Sequence, residues 1–168
     1  MSILVQKIIP SEYSFVIHTK NPLNNNNNEL YGEIVIGMGE TLVGNYEGES
    51  FSFIYNKINK NYEIKSYPNK SISLNNLGFI FRSDSNLEDL KYFSGAGLFD
   101  SFTIYNHNSV ELSYFNDKLF SNEKFVEMLI LNVSKLGIEI ENFCGCEQDI
   151  EGAYFNNDFY ILQNRNQV

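Results

Sequence analysis

The chain has 168 residues, of which 43% are hydrophobic and 15% aromatic, so it is long and apolar enough to bury one core. Its 21 acidic residues outnumber its 12 basic ones and give a formal net charge of −9, which argues against non-specific nucleic-acid binding and against an anionic membrane surface. No apolar stretch approaches the length of a transmembrane helix, and the first residues lack the basic region and small-residue cleavage site of a signal peptide.

The N-terminal part of the sequence predicts two strands followed by a loop. Residues 2–9 and 13–19 are apolar runs on either side of a turn at Pro10-Ser11-Glu12. His18 lies in the second run, where we expect a hydrogen-bonded structural histidine. Residues 21–28 contain five consecutive asparagines and predict a mobile surface loop. Because the first strand starts abruptly and without a leader, we expect the chain to be part of a longer protein.

The middle of the chain is predicted to be mostly strands. A glycine-flanked stretch at 37–44 allows close approach of the backbone to a ligand, although a structural turn is the default interpretation of such a short pattern. Polar and small residues at 83–89 and 94–101 predict loops. The predicted strands span residues 29–36, 50–55, 61–66, 78–82, 102–106 and 110–115.

The clearest helix is predicted at about residues 121–143, with Ser121 or Asn122 as its N-cap and Gly145 as its stop. Apolar side chains recur there at helical spacing and predict a core-facing stripe. That stripe comprises Phe125, Met128 or Leu129, Val133, Leu136, Ile140 and Phe143. The order of elements therefore predicts an α+β fold, with a mixed or antiparallel sheet and one long helix.

The chain has two cysteines, Cys144 and Cys146, and one residue separates them. This spacing is too short for an ordinary disulfide, and no second pair of cysteines completes a zinc site. The two histidines, His18 and His107, lack ligand spacing to each other and to the cysteines. We therefore expect two free thiols and no zinc site.

The last twenty-one residues predict a hairpin that carries four polar side chains. Asp149 and Glu151 alternate along one segment, and Gln163 and Arg165 alternate along the next, so each pair shares one face of its strand. A three-residue loop at 156–158 centres the hairpin so that Glu151 lies opposite Gln163 and Asp149 opposite Arg165. A shift of the centre by half a residue would place the two pairs on opposite faces.

Two interpretations of this hairpin remain open from the residues alone. Two carboxylates beside a planar cation suit Mg²⁺ that bridges a polyphosphate, with Arg165 neutralising the phosphoryl oxygens. The alternative is a solvated face on which the charges form ordinary salt bridges. In either case four apolar side chains are predicted to pack on the opposite face of the hairpin. These are Ile150, Tyr154, Tyr160 and Leu162.

Several segments in a fixed order resemble the ATP-binding part of the α-glucan water dikinases, which are relatives of pyruvate phosphate dikinase and phosphoenolpyruvate synthase. The matching pieces cover nearly the whole chain. They are Leu4-Val5-Gln6, Phe15-Val16-Ile17-His18-Thr19, Asn21-Pro22, Gly39-Glu40-Thr41-Leu42-Val43-Gly44, Tyr67-Pro68-Asn69-Lys70, Ile80-Phe81-Arg82-Ser83-Asp84-Ser85-Asn86, Glu88-Asp89-Leu90, Gly95-Ala96-Gly97-Leu98-Phe99-Asp100-Ser101 and Gln148-Asp149-Ile150-Glu151-Gly152.

The resemblance implies that residues 1–168 are the C-terminal half of an ATP-grasp nucleotide-binding domain that uses ATP and Mg²⁺. Enzymes of this family transfer the β-phosphate of ATP through a phosphohistidine to a starch-like α-glucan. The upstream half of the ATP-grasp domain, the phosphohistidine domain and the glucan-binding modules would lie outside this chain, in a protein of the cytoplasm or a plastid-like compartment. The alternatives are a fragment of a pyruvate- or phosphoenolpyruvate-linked dikinase and a non-catalytic nucleotide-binding module.

The resemblance also implies a role for individual residues. Asp149 and Glu151 resemble the metal-binding acids, and Gln163 and Arg165 resemble the catalytic Gln-x-Arg that holds the transferring phosphates. The remaining implied positions bind the nucleotide. They are Val5, Gln6 and Ile8 in the adenine hinge, Glu40 near the ribose or the metal, Arg82 as a phosphate contact, and Lys70 as a further nucleotide-binding position. The sequence departs from the family pattern at Glu47, Glu49, Asn164 and Asn166, and these changes leave the two acids and Arg165 intact.

Overall fold

The fold is an antiparallel sheet with one long helix on it. The computed structural model describes residues 6–39, 42, 48–68, 72–74, 79–81, 89–90, 93–94, 102–104, 109–111 and 117–167. Six strands form the main sheet: β1 (Tyr13–His18), β2 (Glu29–Ile36), β3 (Phe51–Asn56), β4 (Tyr62–Ser66), β11 (Gln148–Phe155) and β12 (Asp158–Asn166). Their order is β12-β11-β1-β2-β3-β4, with every neighbouring pair antiparallel.

Six short strands form three two-stranded pairs in the described part of the chain. They are β5 (Ile72–Leu74), β6 (Phe79–Phe81), β7 (Asp89–Leu90), β8 (Phe93–Ser94), β9 (Phe102–Ile104) and β10 (Ser109–Glu111). Strand β5 pairs with β10, β6 with β9, and β7 with β8. The predicted strands at 29–36, 50–55, 61–66, 78–82, 102–106 and 110–115 are thus found within a few residues, whereas β5, β7 and β8 were not predicted.

Helix α2 spans Glu123–Cys144 and follows the one-turn helix α1 (Lys118–Ser121). The Asn122 side chain accepts a hydrogen bond from the Phe125 amide, and Gly145 ends the helix in a left-handed conformation with φ 74°. The predicted helix and both of its predicted ends are therefore confirmed. Together with the antiparallel sheet, this helix confirms the α+β class and is consistent with an ATP-grasp-like fold.

The core lies between α2 and one face of the main sheet. From the helix it contains Phe125, Val126, Leu129, Ile130 and Val133, and from the strands Phe15, Ile17, Leu30, Ile34, Phe51, Phe53, Ile150 and Tyr154. Gly137 of the helix is buried as well, and a Cβ there would lie 2.8 Å from Leu30 Cδ1. The prediction for Phe143 is wrong, since its side chain is 92% exposed. It lies on the edge of the apolar stripe, where helix geometry turns it away from the sheet.

The prediction of a strand at 2–9 is wrong over its described part, because residues 6–10 form no strand. The carbonyl of Ile9 accepts a hydrogen bond from the Ser11 amide at 2.8 Å, which turns the chain before β1. Pro10 has no N–H to give to a sheet. A local turn therefore uses the backbone groups that a strand would need.

The asparagine-rich segment 21–28 is organised by its own side chains. Alternate asparagines accept a hydrogen bond from the backbone amide two residues later, which is the geometry of an Asx turn. The bonds are Leu23 N to Asn21 Oδ1, Asn26 N to Asn24 Oδ1, and Asn28 N to Asn26 Oδ1. The amides of Asn24 and Asn21 also donate to the Glu29 carboxylate, and these bonds hold the pKa of Glu29 below its ordinary value.

Candidate functional site

The turn between β11 and β12 has two residues, Asn156 and Asn157, with φ values of 54° and 67°. Two consecutive left-handed residues are the mark of a type I′ turn, which matches the twist of antiparallel strands. The predicted three-residue loop is therefore wrong, because Asp158 already pairs with Phe155. Asparagine tolerates this backbone conformation better than most residues, which is why the shorter turn forms.

A bulge in β12 restores the predicted pairing of the four polar residues. Near the turn Gly152 pairs with Ile161, but the next pair is Glu151 with Gln163, so Leu162 is an extra residue. Beyond the bulge the register places Glu151 opposite Gln163 and Asp149 opposite Arg165, as predicted. Directly opposed residues share a face of the sheet, so all four side chains lie on one face.

The bulge also changes which apolar side chains join the core. Tyr160 pairs with Ala153 and thus lies on the same face as Glu151, so its predicted packing opposite the acids is wrong. Phe159 takes that role, with its ring 5.1 Å from the ring of Tyr154. Because the turn is one residue shorter than predicted, each residue of β12 between the turn and the bulge pairs one position away from its predicted partner. Phe159 and Tyr160 therefore lie on opposite faces from those predicted. The predicted burial of Ile150 and Tyr154 is confirmed.

Leu162 is likewise not a core residue, and it instead meets the segment before β1. It is the unpaired residue of the bulge, and its side chain is half-buried. Its carbonyl accepts a hydrogen bond from Gln6 Nε2 at 3.0 Å. A bulge leaves backbone groups without a ladder partner, and Gln6 satisfies one of them. Gln6, predicted to bind nucleotide, thus lies against the hairpin that carries the acids.

An ion pair occupies the open end of the hairpin. Arg165 donates to Asp149 Oδ2 from Nε at 2.9 Å and from a terminal guanidinium nitrogen at 2.7 Å. The side chains of Arg165 and Asp149 are 24% and 14% exposed, so the pair is largely shielded from solvent. Hydrogen bonds between two ionised groups are stronger than neutral ones. Asp149 therefore has one oxygen engaged by Arg165.

The other oxygen of Asp149 faces His18 on the neighbouring strand. The register pairs His18 with Asp149, and Asp149 Oδ1 lies 3.7 Å from His18 Nδ1, beyond hydrogen-bond distance. The His18 ring stacks on Tyr31 with centroids 6.4 Å apart and an interplanar angle of 26°. The sequence does not predict His18 as a neighbour of the acids, because the contact depends on pairing between strands some 130 residues apart.

A buried glutamine at the start of β11 fixes the backbone on both sides of Arg165. Gln148 is 1% exposed, and its side chain donates to Asn166 Oδ1 at 3.0 Å and accepts from Asn164 Nδ2 at 2.9 Å. Its backbone amide is also fixed, because it donates a hydrogen bond to Thr19 Oγ1 at 2.8 Å. Asn164 and Asn166 thus help to position the strand that carries Arg165.

The donor set at this face fits Mg²⁺ that is shared with a polyphosphate. Asp149 and Glu151 supply carboxylate oxygens from alternate positions of one strand. Within the described ranges no cluster of three or more His, Cys, Asp or Glu could hold a metal ion. Mg²⁺ commonly uses one or two carboxylates and completes its shell with water and substrate phosphates, so two acids suffice.

The other predicted nucleotide contacts lie mainly outside the described residues. This applies to Val5, Glu40, Lys70 and Arg82. Ile8 is described and half-buried in the non-strand segment before β1. Both cysteines are free thiols, as expected, with Cys144 exposed and Cys146 half-buried. The described helices include none long and apolar enough to cross a membrane.

Comparison with known proteins defines the class. All of residues 1–168 match the family described as pyruvate phosphate dikinase, AMP/ATP-binding domain. The chain belongs to this family, and the expected relationship to the dikinases is confirmed. It carries a domain of the type that binds AMP or ATP.

Particular relatives refine that assignment. The chain is similar to α-glucan water dikinase 2 of Arabidopsis thaliana, with 44% identity over 170 residues, and to the chloroplastic α-glucan water dikinase of Solanum tuberosum, with 42% identity. It is also similar to phosphoenolpyruvate synthase of Pyrococcus furiosus, with 28% identity over 168 residues. These matches cover 98–100% of the chain but only 13%, 12% and 18% of the three relatives. The chain thus spans a small part of the proteins that it matches.

Proposed function

We propose that this chain is the ATP- and Mg²⁺-binding portion of an α-glucan water dikinase, which phosphorylates a starch-like glucan with the β-phosphate of ATP. The observation that carries the proposal is the register of the terminal hairpin, which aligns two acids with a glutamine and an arginine on one face. The 42–44% identity to α-glucan water dikinases across the whole chain supports the substrate class. The phosphohistidine, the glucan-binding modules and the upstream half of the nucleotide site would belong to other parts of the protein.

In this proposal the residues of the hairpin position the polyphosphate. Asp149 and Glu151 would hold Mg²⁺, which supplies neutralisation of phosphate charge when it is bound. Arg165 presents a planar fork of donors that matches phosphate oxygens, and Gln163 would donate an amide hydrogen bond beside it. Phosphoryl transfer depends on positioning and electrostatic stabilisation, so a rigid strand pair is a suitable support for these groups.

The remaining site residues are proposed to complete the nucleotide pocket. The hydrogen bond from Gln6 to Leu162 holds the segment before β1 against the hairpin. This position supports the proposal that Val5, Gln6 and Ile8 contact the adenine. The proposal assigns Glu40 to the ribose or the metal. It assigns Lys70 and Arg82 to the phosphates.

The test uses the full-length protein with ATP labelled in the β-phosphate, Mg²⁺ and a starch-like glucan. We expect label in the glucan, and we expect Glu151→Gln to abolish it because a metal-binding carboxylate is lost. Glu139→Gln is the matched control, since Glu139 lies on the exposed face of α2 and is 60% exposed. Glu139→Gln should label the glucan like the wild type.

A second candidate is a dikinase that acts on pyruvate, favoured by the 28% identity to phosphoenolpyruvate synthase. Label that reaches pyruvate in a parallel reaction would establish this candidate in place of the first. Label that stays in ATP while nucleotide still binds would indicate a non-catalytic nucleotide-binding module. The presence of all four polar residues on one face favours turnover over that last outcome.

A further inference from the structure

Arg165 and a metal ion at Asp149 would need the same carboxylate. Two donors of Arg165 reach a single oxygen, Asp149 Oδ2, at 2.9 and 2.7 Å. This carboxylate is only 14% exposed, so solvent screens it weakly. We propose that Asp149 is an exchangeable ligand, paired with Arg165 before the metal binds and released to the metal as the guanidinium moves to a phosphate.

The proposal rests on the proposed function, and it adds an order of events to the site. A divalent cation beside Asp149 and the guanidinium of Arg165 repel each other at short range, and burial strengthens that repulsion. Each cation therefore weakens the binding of the other at this carboxylate. Metal binding and the Asp149–Arg165 pair compete, whereas metal binding and an arginine bound to phosphate do not.

The backbone around Arg165 restricts the exchange to its side chain. Asn164 and Asn166 both hydrogen-bond to the buried Gln148, so the strand on either side of Arg165 is fixed. Asp149 is held by the ladder between β11 and β1. The guanidinium can therefore leave Asp149 by rotation of its own long side chain, while the carboxylate stays in place for the metal.

The favoured destination of the released guanidinium is a polyphosphate. A phosphate accepts the same two-pronged hydrogen bonding as a carboxylate and carries more charge. Nucleotide thus provides the acceptor that Arg165 needs, and it also provides oxygens that complete the metal shell. Metal and nucleotide should bind cooperatively for this reason, and metal alone should bind weakly.

The exchange predicts opposite effects of one substitution on two ligands. Without the charge of Arg165, Asp149 is left open to a cation, so binding of a metal alone should strengthen. Without the fork of Arg165, the phosphates lose a partner, so binding of Mg·ATP should weaken. A residue that only stabilised the hairpin would weaken both ligands together.

The experiment is a titration of the full-length protein with Mn²⁺ in the absence of nucleotide, in which electron paramagnetic resonance measures the binding of Mn²⁺. We expect Arg165→Met to bind Mn²⁺ about tenfold more tightly than the wild type, a coupling within the range usual for linked sites in proteins. Arg165→Gln, which keeps a hydrogen-bond donor without the charge, serves as the second variant and should show a gain in the same direction. Arg165→Lys keeps the charge and should stay closer to the wild type.

The double variant Asp149→Asn/Arg165→Met locates the effect. The gain in Mn²⁺ affinity should disappear in it, because the freed carboxylate is gone. Mn²⁺ affinity that does not rise in Arg165→Met and Arg165→Gln overturns the proposal, and so does a gain that persists without Asp149. Mg·ATP binding by the wild type, measured in parallel by displacement of a fluorescent ATP analogue, reports on the proposed function separately from the exchange.

Discussion

Asp149 and Ile150 are neighbours in β11, yet they lie on opposite faces of the main sheet and meet different surroundings. Ile150 is fully buried in the core beneath α2, opposite Ile17 of β1. Asp149 meets Arg165 and His18 on a face where charged side chains are partly exposed. The two faces of the sheet therefore have different roles. The core face, which carries Ile150, stabilises the register of the strands, and the site face, which carries Asp149, depends on that register to align its charged side chains.

The largest effect should come from a substitution that breaks the core face at the bulge. A Cβ at Gly152 would lie 2.2 Å from Phe15 Cζ and 2.7 Å from the carbonyl oxygen of Tyr160, and the carbonyl belongs to the backbone. We expect Gly152→Ala to lower the free energy of unfolding by about 4 kcal/mol, since such contacts cannot relax cheaply. Urea unfolding measures it, with Gly39→Ala as the control because its nearest atom would be 3.4 Å away. Equal stabilities for the two variants would contradict the expectation.

The next largest effect on stability should come from truncating Ile150, the core residue that follows Asp149 in β11. Ile150 is 0% exposed, so Ile150→Ala should reduce the free energy of unfolding by about 3 kcal/mol through lost burial and a cavity. We expect nucleotide affinity to change little at temperatures where the variant remains folded. Chemical unfolding and nucleotide titration together check both parts. A fall in affinity much larger than the fall in stability would mean that the two faces are not separable.

The complementary substitution on the site face should affect stability less. Asp149→Asn removes the charge that pairs with Arg165, and because this pair is partly shielded from solvent we expect a loss of about 2 kcal/mol, between the effects of breaking an exposed pair and a buried one. Binding of Mn²⁺ should nevertheless be lost, because the carboxylate is a ligand in the proposed site. The same two measurements made on Asp158→Asn, at the exposed turn, should match the wild type. A collapse of the fold in Asp149→Asn would break the comparison between the faces.

A substitution inside the core face should increase stability. The Ser134 hydroxyl is fully buried in α2 and is the one buried side-chain polar atom without a hydrogen-bond partner in the described part of the chain. Removing such a group relieves an unmet desolvation cost, and alanine also favours the helix. We expect Ser134→Ala to raise the free energy of unfolding by about 1 kcal/mol. A calorimetric melting temperature below that of the wild type would contradict this.

The smallest expected effect concerns pH at the asparagine-rich turn, away from both faces. Hydrogen bonds from Asn24 and Asn21 lower the pKa of Glu29 in the folded chain. Since the folded pKa is below the unfolded one, the contribution is full above about pH 4.3 and is lost as pH falls through the folded pKa. Glu29→Gln should therefore flatten a small part of the acid dependence of the melting temperature. Melting curves of the variant that parallel the wild type at every pH would refute it.

The sequence predicted the helix, most strands and the face shared by the four polar residues, because each depends on local periodicity. The hairpin register was predicted through an incorrect turn. A three-residue loop and a two-residue turn followed by one bulged residue have the same total offset, so Asp149 and Arg165 pair either way. Between turn and bulge the offsets differ, and there Tyr160 and Phe159 exchange faces.

The contacts that the sequence did not predict are non-local. His18 lies beside Asp149 because β1 pairs with β11, and no local pattern encodes which strands become neighbours. In the sequence Gln148 is only the first residue of the motif that contains the two acids. Its hydrogen bonds to Asn164 and Asn166 form only in the folded hairpin. The partner of Arg165 was predicted by position, but the engagement of one carboxylate oxygen by two donors depends on side-chain geometry.

The strand order of the sheet has a consequence for the timing of synthesis. Strand β1 lies between β2 and β11, so one of its edges pairs early and the other waits for residues made more than a hundred positions later. During synthesis β1 to β4 can form four neighbouring strands of the sheet, with β2 paired to β1, before β11 and β12 are made. Within this chain the acids and the arginine follow β1 to β4 and join a sheet in which those four strands can already be paired. A nascent chain halted before Gln148 would thus leave open the edge of β1 that pairs with β11, and an open strand edge is prone to aggregation.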